Sequence, residues 1–262
     1  SAIYGYDIHT GLRLWRFNTV PQPGERNYDP QGDAHWNAYC WGGIALDESR
    51  GLVYFGMSDP NFDQGSTPAG FLSRNLYANC VLALHAETGE YAWHFQEMPH
   101  DIWDMDIPSP PILVTVERDG RQVDAVASLT KLGNTLLLDR ESGEPLFDFR
   151  MRRAPASAIP GLKTWPYQPD LELPEPFATF TFGPEDINDV DPATHQALLE
   201  QVNAAATGWF QPFQELDQFL IYRGVHGGAQ WTGGAFDPET GWLYANANHI
   251  PWYWRVTRYR DA

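Results

Sequence analysis

The sequence predicts an all-β fold built from repeated antiparallel units, and three observations carry that prediction. The first is a repeat: WGGIALDESRGLVYFG at Trp41–Gly56 and WTGGAFDPETGWLYAN at Trp231–Asn246 align without gaps, sharing Trp, Gly, Ala, Asp, Gly and Tyr at equivalent places. Each reads as strand, tight turn, strand, with the turn glycine supplying the left-handed backbone a hairpin needs. The second is a closing pattern, seen in YDIHTGLRLWRF ending at Phe17, LHAETGEYAWHF ending at Phe95 and LDRESGEPLFDF ending at Phe149. Each places two aromatics two residues apart (Trp15/Phe17, Trp93/Phe95 and Phe147/Phe149), so a strand would present both to one side. The third is a series of short apolar runs bounded by Gly, Asp or Pro: LVYFGM, CVLALHA, ILVTVE, DAVASLT and NTLLLD.

Four short strands per unit of roughly 40 to 50 residues is the signature of a β-propeller of four-stranded antiparallel blades. Taken in order, residues 1–17 read as the end of one blade. A second spans about 41–95, a third about 104–149, and a fourth starts near 228. The prediction is one partial propeller over 1–262, about three to four blades, with a Pro-rich insertion at about 150–227. One short helix is expected there, with Asp191 as N-cap, Pro192 at the first position, ATHQALLEQVNAAA as body and Gly208 as stop. A long ordered insertion either covers a site or decorates the surface. Three to four blades leave sheet edges unpaired, so we expect the remaining blades in sequence outside this chain or on a partner.

Composition narrows the function classes. With 43% hydrophobic and only 19% charged residues, 11 Trp, 23 Gly and 21 Pro, the chain is globular and turn-rich rather than disordered. The net charge of −17 argues against nucleic acid, whose phosphates need Lys and Arg. No apolar run approaches membrane-spanning length and the first residues are not a signal peptide; the chain opens without Met, and we expect any export signal or anchor upstream. Cys40 and Cys80 fit neither a metal framework nor a disulfide scaffold; they read as two thiols, with a bridge possible only if their Cα atoms meet. No Gly-rich dinucleotide loop after a strand, phosphate cradle or Ser/Cys nucleophile constellation is present.

The chemistry-bearing segment is HDIWDMDIPSPP, where Asp101, Asp104 and Asp106 crowd together with His100 and Trp103; Lys131 follows in TKLGN, just before another strand. Carboxylates beside aromatics serve as hard-cation ligands or as a general base. A nearby ammonium group holds a base ionised or binds an anionic oxygen. Taken alone, such acids are more often solvated loop charges. His100 reads as a loop-orienting group, His226 and His249 as satisfied structural histidines, and Trp231 as a packing residue.

HDIWDMDIPSPP and TKLGN, together with NLYANCVLALHAETGEYAWHFQ, NYDPQG…YCWGGIALD and GGAQWTGGAFDPETGWLYANAN, resemble the pyrroloquinoline quinone (PQQ)-dependent dehydrogenases. The match runs in order over nearly the whole chain, is weakest in 150–227, and is nearest the membrane-bound glucose dehydrogenase branch. The resemblance implies an eight-bladed propeller carrying PQQ on its axis, with Ca2+ or a similar cation against the quinone, and Thr-Gly…Trp strands that lock neighbouring blades. It assigns Asp104 as the base and a metal contact, Lys131 to the quinone oxygens, Trp41 to the floor under the ring, Asp59 to the metal and Asn246 to the quinone. Lys131, where the methanol-oxidising branch favours Arg, points to a sugar such as an aldose, oxidised by hydride transfer to PQQ with electrons passed to ubiquinone. The alternatives are an alcohol or polyol oxidiser serving a cytochrome c, and a non-catalytic propeller scaffold. The resemblance also implies a periplasmic location. An acidic metal ligand and the Arg and Thr that hold the cofactor carboxylates have no counterpart here, so the isolated chain is expected to bind PQQ weakly or not at all and to be inactive.

Overall fold

The computed structural model describes residues 1–30, 36–60 and 71–257; Gln31 and Gly32 of the NYDPQG motif lie outside them. β1 (Ala2–Tyr6) and β2 (Arg13–Asn18) form an antiparallel pair. β3 (Ile44–Asp47), β4 (Leu52–Gly56), β5 (Cys80–His85) and β6 (Tyr91–Gln96) form a four-stranded antiparallel sheet in that order. β7 (Ile112–Arg118), β8 (Arg121–Leu129) and β9 (Thr135–Asp139) form a three-stranded one. β10 (Met151–Arg153) pairs with β11 (Tyr167–Pro169). A 3-10 turn at Pro184–Asp186 and helix α1 (Pro192–Ala204) follow. β12 (Phe219–Arg223) pairs with β15 (Pro251–Arg255), enclosing the hairpin of β13 (Gly234–Asp237) and β14 (Trp242–Ala245).

The period-2 pattern explains how these sheets stack. In the four-stranded sheet, Val53, Phe55, Leu82 and Leu84 face a core shared with Ile3, Trp15 and Phe17 of the first pair. The alternate residues Leu52, Tyr54, Val81 and Ala83 face a second core with Val126, Leu136 and Leu138 of the third sheet. A third core joins Val114, Ala125 and Ala127 to Phe236 and Leu243 of the β13–β14 hairpin. Consecutive sheets thus lie face to face, which is the propeller arrangement and leaves both faces of β4 and β5 buried. The Thr-Gly…Trp repeats tie them: Trp15 donates Nε1–H to Ala86 O (2.9 Å) in the next blade, and Trp93 does the same to Arg140 O (3.1 Å).

The third closing repeat departs from expectation. After β9 only an isolated bridge, Leu138 to Pro145, continues the sheet, held by Asp139 N donating to Glu144 O (2.7 Å) and Leu146 N donating to Leu137 O (2.8 Å). Phe147 and Phe149 therefore do not share a strand face. Phe147 lies under the Arg118 guanidinium (4.2 Å) and Phe149 turns edge-on to Phe95 (4.8 Å).

The insertion is more ordered than its proline content suggests. α1 is capped as its sequence indicates, with Asp191 accepting from Thr194 N (2.8 Å). It ends at Ala204, before Gly208, because Ala206 is drawn into backbone bonds with Phe219 and Ile221 of β12. Phe180, Phe210, Phe213, Leu220 and Tyr222 form a core with Met98, Ile102, Trp103 and Met105. The insertion packs directly on the HDIWDMD segment.

Candidate active site

Asp101 organises the loop that bears the acids. Its carboxylate accepts from Trp103 N (2.7 Å), Met105 N (2.6 Å) and the Asn79 side chain (2.9 Å). This bend forces Asp104 into the left-handed region at φ 65°, a conformation Asp tolerates better than most residues and one that recurs at functional sites. The insertion clamps the same bend from outside: Trp103 donates to Gln211 O (3.0 Å) and Tyr222 donates to Trp103 O (3.0 Å). His100, buried, bonds through Nδ1 to Ser73 O and the Asn75 side chain (both 3.2 Å), which is the loop-holding role its position suggests.

The structure brings the acid, the ammonium group and the indole together. Lys131 Nζ lies 2.7 Å from Asp104 Oδ1 and 2.6 Å from Asp106 Oδ1. The other Asp106 oxygen accepts from Trp41 Nε1 at 2.6 Å, and Lys131 Nζ is 5.8 Å from the centre of the Trp41 ring. The Trp41 hairpin reaches this place because Gly42 has no side chain; a Cβ there would stand 2.0 Å from Pro108 O. Trp41 remains 38% exposed while Lys131 is only 5% exposed, so the indole is held by its edge and open on its surface.

Carboxylate oxygens of Asp59, Asp104 and Asp106 can lie within 4.8 Å of one another. Burial, reinforced by Asp101, Asp104 and Asp106, pushes the Asp59 carboxyl up to about 9. Burial likewise lifts Asp104 to about 7, with Asp106 and Asp101 adding to the rise and Lys131 opposing it. For Lys131 burial works against the charge, but Asp106 and Asp104 outweigh it and hold the ammonium above its usual value. Three carboxyl groups thus face one ammonium group, and their crowding favours protons or a cation over three free charges. An all-oxygen, anionic donor set of this kind suits a hard cation such as Ca2+. The open indole beside a cation suits a flat, anionic ring. The residues present fit both groups that the resemblance implies.

Of the five residues singled out by sequence, four meet here. Asn246 does not join them: it is exposed just past β14 and takes no part in the hydrogen bonding around Lys131. Its strand end is nonetheless led toward the site, since Asn248 N donates to Gly228 O (2.8 Å) and Gly228 lies against the Lys131 backbone. Trp231 is 61% exposed rather than packed. His226 and His249 are exposed, not core, histidines; His226 lies 5.0 Å from the Trp252 ring. Cys40 and Cys80 are separate thiols, and burial pushes Cys40 up to about 11.

Sequence reasoning passed over Asp106, which was visible only as one more acid in the crowd, and Tyr39. The Tyr39 phenol is raised by burial and then by Asp59, Asp106 and Asp104, so it borders the cluster. Nothing in AYCWGG announces that.

Comparison with known proteins agrees with the geometry. The family described as PQQ: glucose/ethanol/alcohol dehydrogenase, β-propeller domain, matches residues 1–262. The chain is 31% identical over its whole length to the glycerol dehydrogenase large subunit of Gluconobacter oxydans, covering 36% of that protein. It is 32% identical to the quinoprotein glucose dehydrogenase of the same organism, with 96% of this chain and 31% of that one aligned. The chain therefore spans about a third of the length of the curated relatives it matches. Among solved structures, the quinohemoprotein alcohol dehydrogenase of Comamonas testosteroni superposes with a TM-score of 0.63 at 22% identity, over 95% of this chain and 34% of that one. That likeness concerns the fold: all-β, antiparallel, propeller.

Proposed function

The chain belongs to the β-propeller family of PQQ glucose/ethanol/alcohol dehydrogenases, and on that premise we propose that it carries the acid–base and ring-binding part of a quinoprotein dehydrogenase oxidising a sugar hydroxyl. The observation that carries the reading is the part-buried Asp104–Lys131 pair at 2.7 Å, with the Trp41 indole tied to the same cluster through Asp106. PQQ would supply the hydride acceptor there, and Ca2+ or a similar cation the polarisation of its reacting carbonyl.

The chain's own residues do the rest. Asp104 removes the proton of the substrate hydroxyl; burial keeps its carboxyl basic enough for that transfer near neutral pH. Lys131 stays charged throughout and presents a cation to the oxygens of a ring lying on Trp41. Asp59, Asp104 and Asp106 would hold the metal. Trp103, Phe180, Phe210 and Tyr222 exclude water from the back of the Asp104 bend. Asn246 is assigned to the quinone on the resemblance alone.

An aldose substrate with electrons passed to ubiquinone is the first reading, supported by the lysine at 131 and by similarity to quinoprotein glucose dehydrogenases. A polyol substrate is the second, supported by similarity to glycerol dehydrogenase large subunits, with a cytochrome c as acceptor in that case. A periplasmic location belongs to both. A non-catalytic scaffold has no use for the part-buried ion pair. The test is to reconstitute the full-length protein with PQQ and Ca2+ and measure dye reduction across aldoses, polyols and simple alcohols. Activity on aldoses first and polyols second is the expected result; no PQQ-dependent reduction of dye with any of them would overturn the reading.

A further inference from the structure

Lys131 rides on a tight turn, Thr130 to Asn134. Within it, Thr130 N donates to Asn134 O (3.1 Å), Gly133 N to Thr130 O (3.0 Å) and Asn134 N to the Thr130 hydroxyl (3.2 Å). The Thr130 and Asn134 side chains do not face solvent. Both converge on one atom: Thr130 Oγ1 donates to Glu97 Oε1 at 3.0 Å and Asn134 Nδ2 donates to it at 2.7 Å. Glu97 follows directly on β6 and is completely buried.

The same residue also reaches the acid loop. Glu97 N donates to Asn79 O (3.0 Å), and the Asn79 side chain donates to Asp101 Oδ2 (2.9 Å) and Met105 O (3.0 Å). Asp101 is the group that bends the chain at Asp104. The loop that presents the acid and the turn that presents the ammonium group are therefore both fastened to the Asn79–Glu97 pair.

We infer that Glu97 is a positioning residue for the proton-transfer pair: by bracing the Thr130–Asn134 turn against the Asp101–Met105 loop it sets where Lys131 stands relative to Asp104, while hydrogen-bonding to neither. The acceptor oxygen of Glu97 is what matters, not its charge. In this site a carboxyl so deeply buried is pushed up to about 8 despite the Asn134 and Thr130 bonds, so near neutrality it is largely protonated, and a carboxamide is its close substitute. The reading gives TKLGN a physical meaning. Thr and Asn flank the lysine because both must donate to the buried acid.

The activity arm of the test rests on the dehydrogenase reading; the chemical-modification arm does not. In the full-length protein, Glu97→Ala, Glu97→Gln and Thr130→Val are compared after PQQ and Ca2+ reconstitution, with turnover counted per bound PQQ. Misplacing a catalytic pair by about 1 Å costs on the order of 100-fold, so Glu97→Ala is expected to lose ~10- to 100-fold in kcat with KM changed less than ~3-fold. Glu97→Gln should stay within ~3-fold of wild type, and Thr130→Val should lose ~3- to 10-fold. Without PQQ, acetylation of Lys131 relative to Lys163, read by peptide mass spectrometry, should accelerate ~10-fold in Glu97→Ala and not in Glu97→Gln, because an ammonium group freed from its ion pairs is the more reactive.

Wild-type turnover per bound PQQ in Glu97→Ala, or Glu97→Gln as damaged as Glu97→Ala, would overturn the inference. If Glu97→Ala fails to fold, Thr130→Val decides it by the same two readouts, and unchanged turnover with unchanged Lys131 protection counts against it. A wild-type protein inactive on every substrate defeats the dehydrogenase reading instead, and the acetylation comparison still judges the brace.

Discussion

The hairpins at 41–56 and 231–246 are built from one pattern and end in different places. Both fold as strand, Asp-led turn and strand, and both pack a glycine on the same proline: Gly43 and Gly233 each approach Pro110. Yet Trp41 is drawn by its indole N–H onto Asp106, while its mate Trp231 stands 61% exposed. The hairpin itself therefore does not make a binding surface. What differs is what the adjoining segment offers. The first hairpin meets the bend that turns Asp104 and Asp106 toward Lys131; the second meets Gln230 and Ser109, which bond to each other at 3.0 Å.

The largest expected effect removes what only the first hairpin faces. Asp104→Asn keeps shape and loses the base, and general-base catalysis contributes about 10²- to 10⁴-fold, so kcat should fall by at least ~100-fold. PQQ affinity, which Trp41 and Lys131 would still support, should stay within a few-fold by fluorescence titration. Undiminished dye reduction would remove Asp104 as the base.

Next comes the direct contrast between the mates. Trp41→Ala should weaken PQQ binding about 10-fold or more, since a stacked aromatic contact adds ~0.5–1.5 kcal/mol beyond its buried area. Trp231→Ala should leave binding within ~2-fold, as isolated surface changes usually do. Equal losses at the two positions would break the comparison and return Trp231 to the site.

Much of this was legible in sequence, for reasons that are local. The hairpins follow from turn glycines and period-2 strands, while the HDIWDMD acids and Lys131, taken alone no more than solvated loop charges, stand out through the resemblance of their segments to the PQQ-dependent dehydrogenases. The rest depends on partners far along the chain. Nothing near Asp106 says that its two oxygens divide between Lys131 and Trp41. FLIYR at β12 is apolar enough for a strand, but its mate β15 lies beyond an entire hairpin. The third closing repeat has the right aromatic spacing, yet it joins the sheet only through the Leu138–Pro145 bridge. Nothing in FQEMPH marks Glu97, and only the Thr130 and Asn134 donors show it to be a buried acceptor.

The smallest expected effect concerns the blade stack that carries the first hairpin. Trp93 donates to Arg140 O, but so does the Tyr54 hydroxyl, at 3.0 Å. Trp93→Phe should therefore cost little in polar terms, because the carbonyl keeps one donor; the lost hydrogen bond is worth ~1 kcal/mol. Removing both donors, in Trp93→Phe with Tyr54→Phe, strands a buried acceptor and should cost ~1–3 kcal/mol more than the two single losses summed, a coupling that urea unfolding can measure. Because Trp93 works on the blade-to-blade core and not on the acid cluster, turnover per bound PQQ should stay within ~2-fold in the single variant. A drop in turnover larger than the loss of folded protein would show that blade packing reaches the Trp41–Asp106 contact, and that the two hairpins differ in their support as well as in their neighbours.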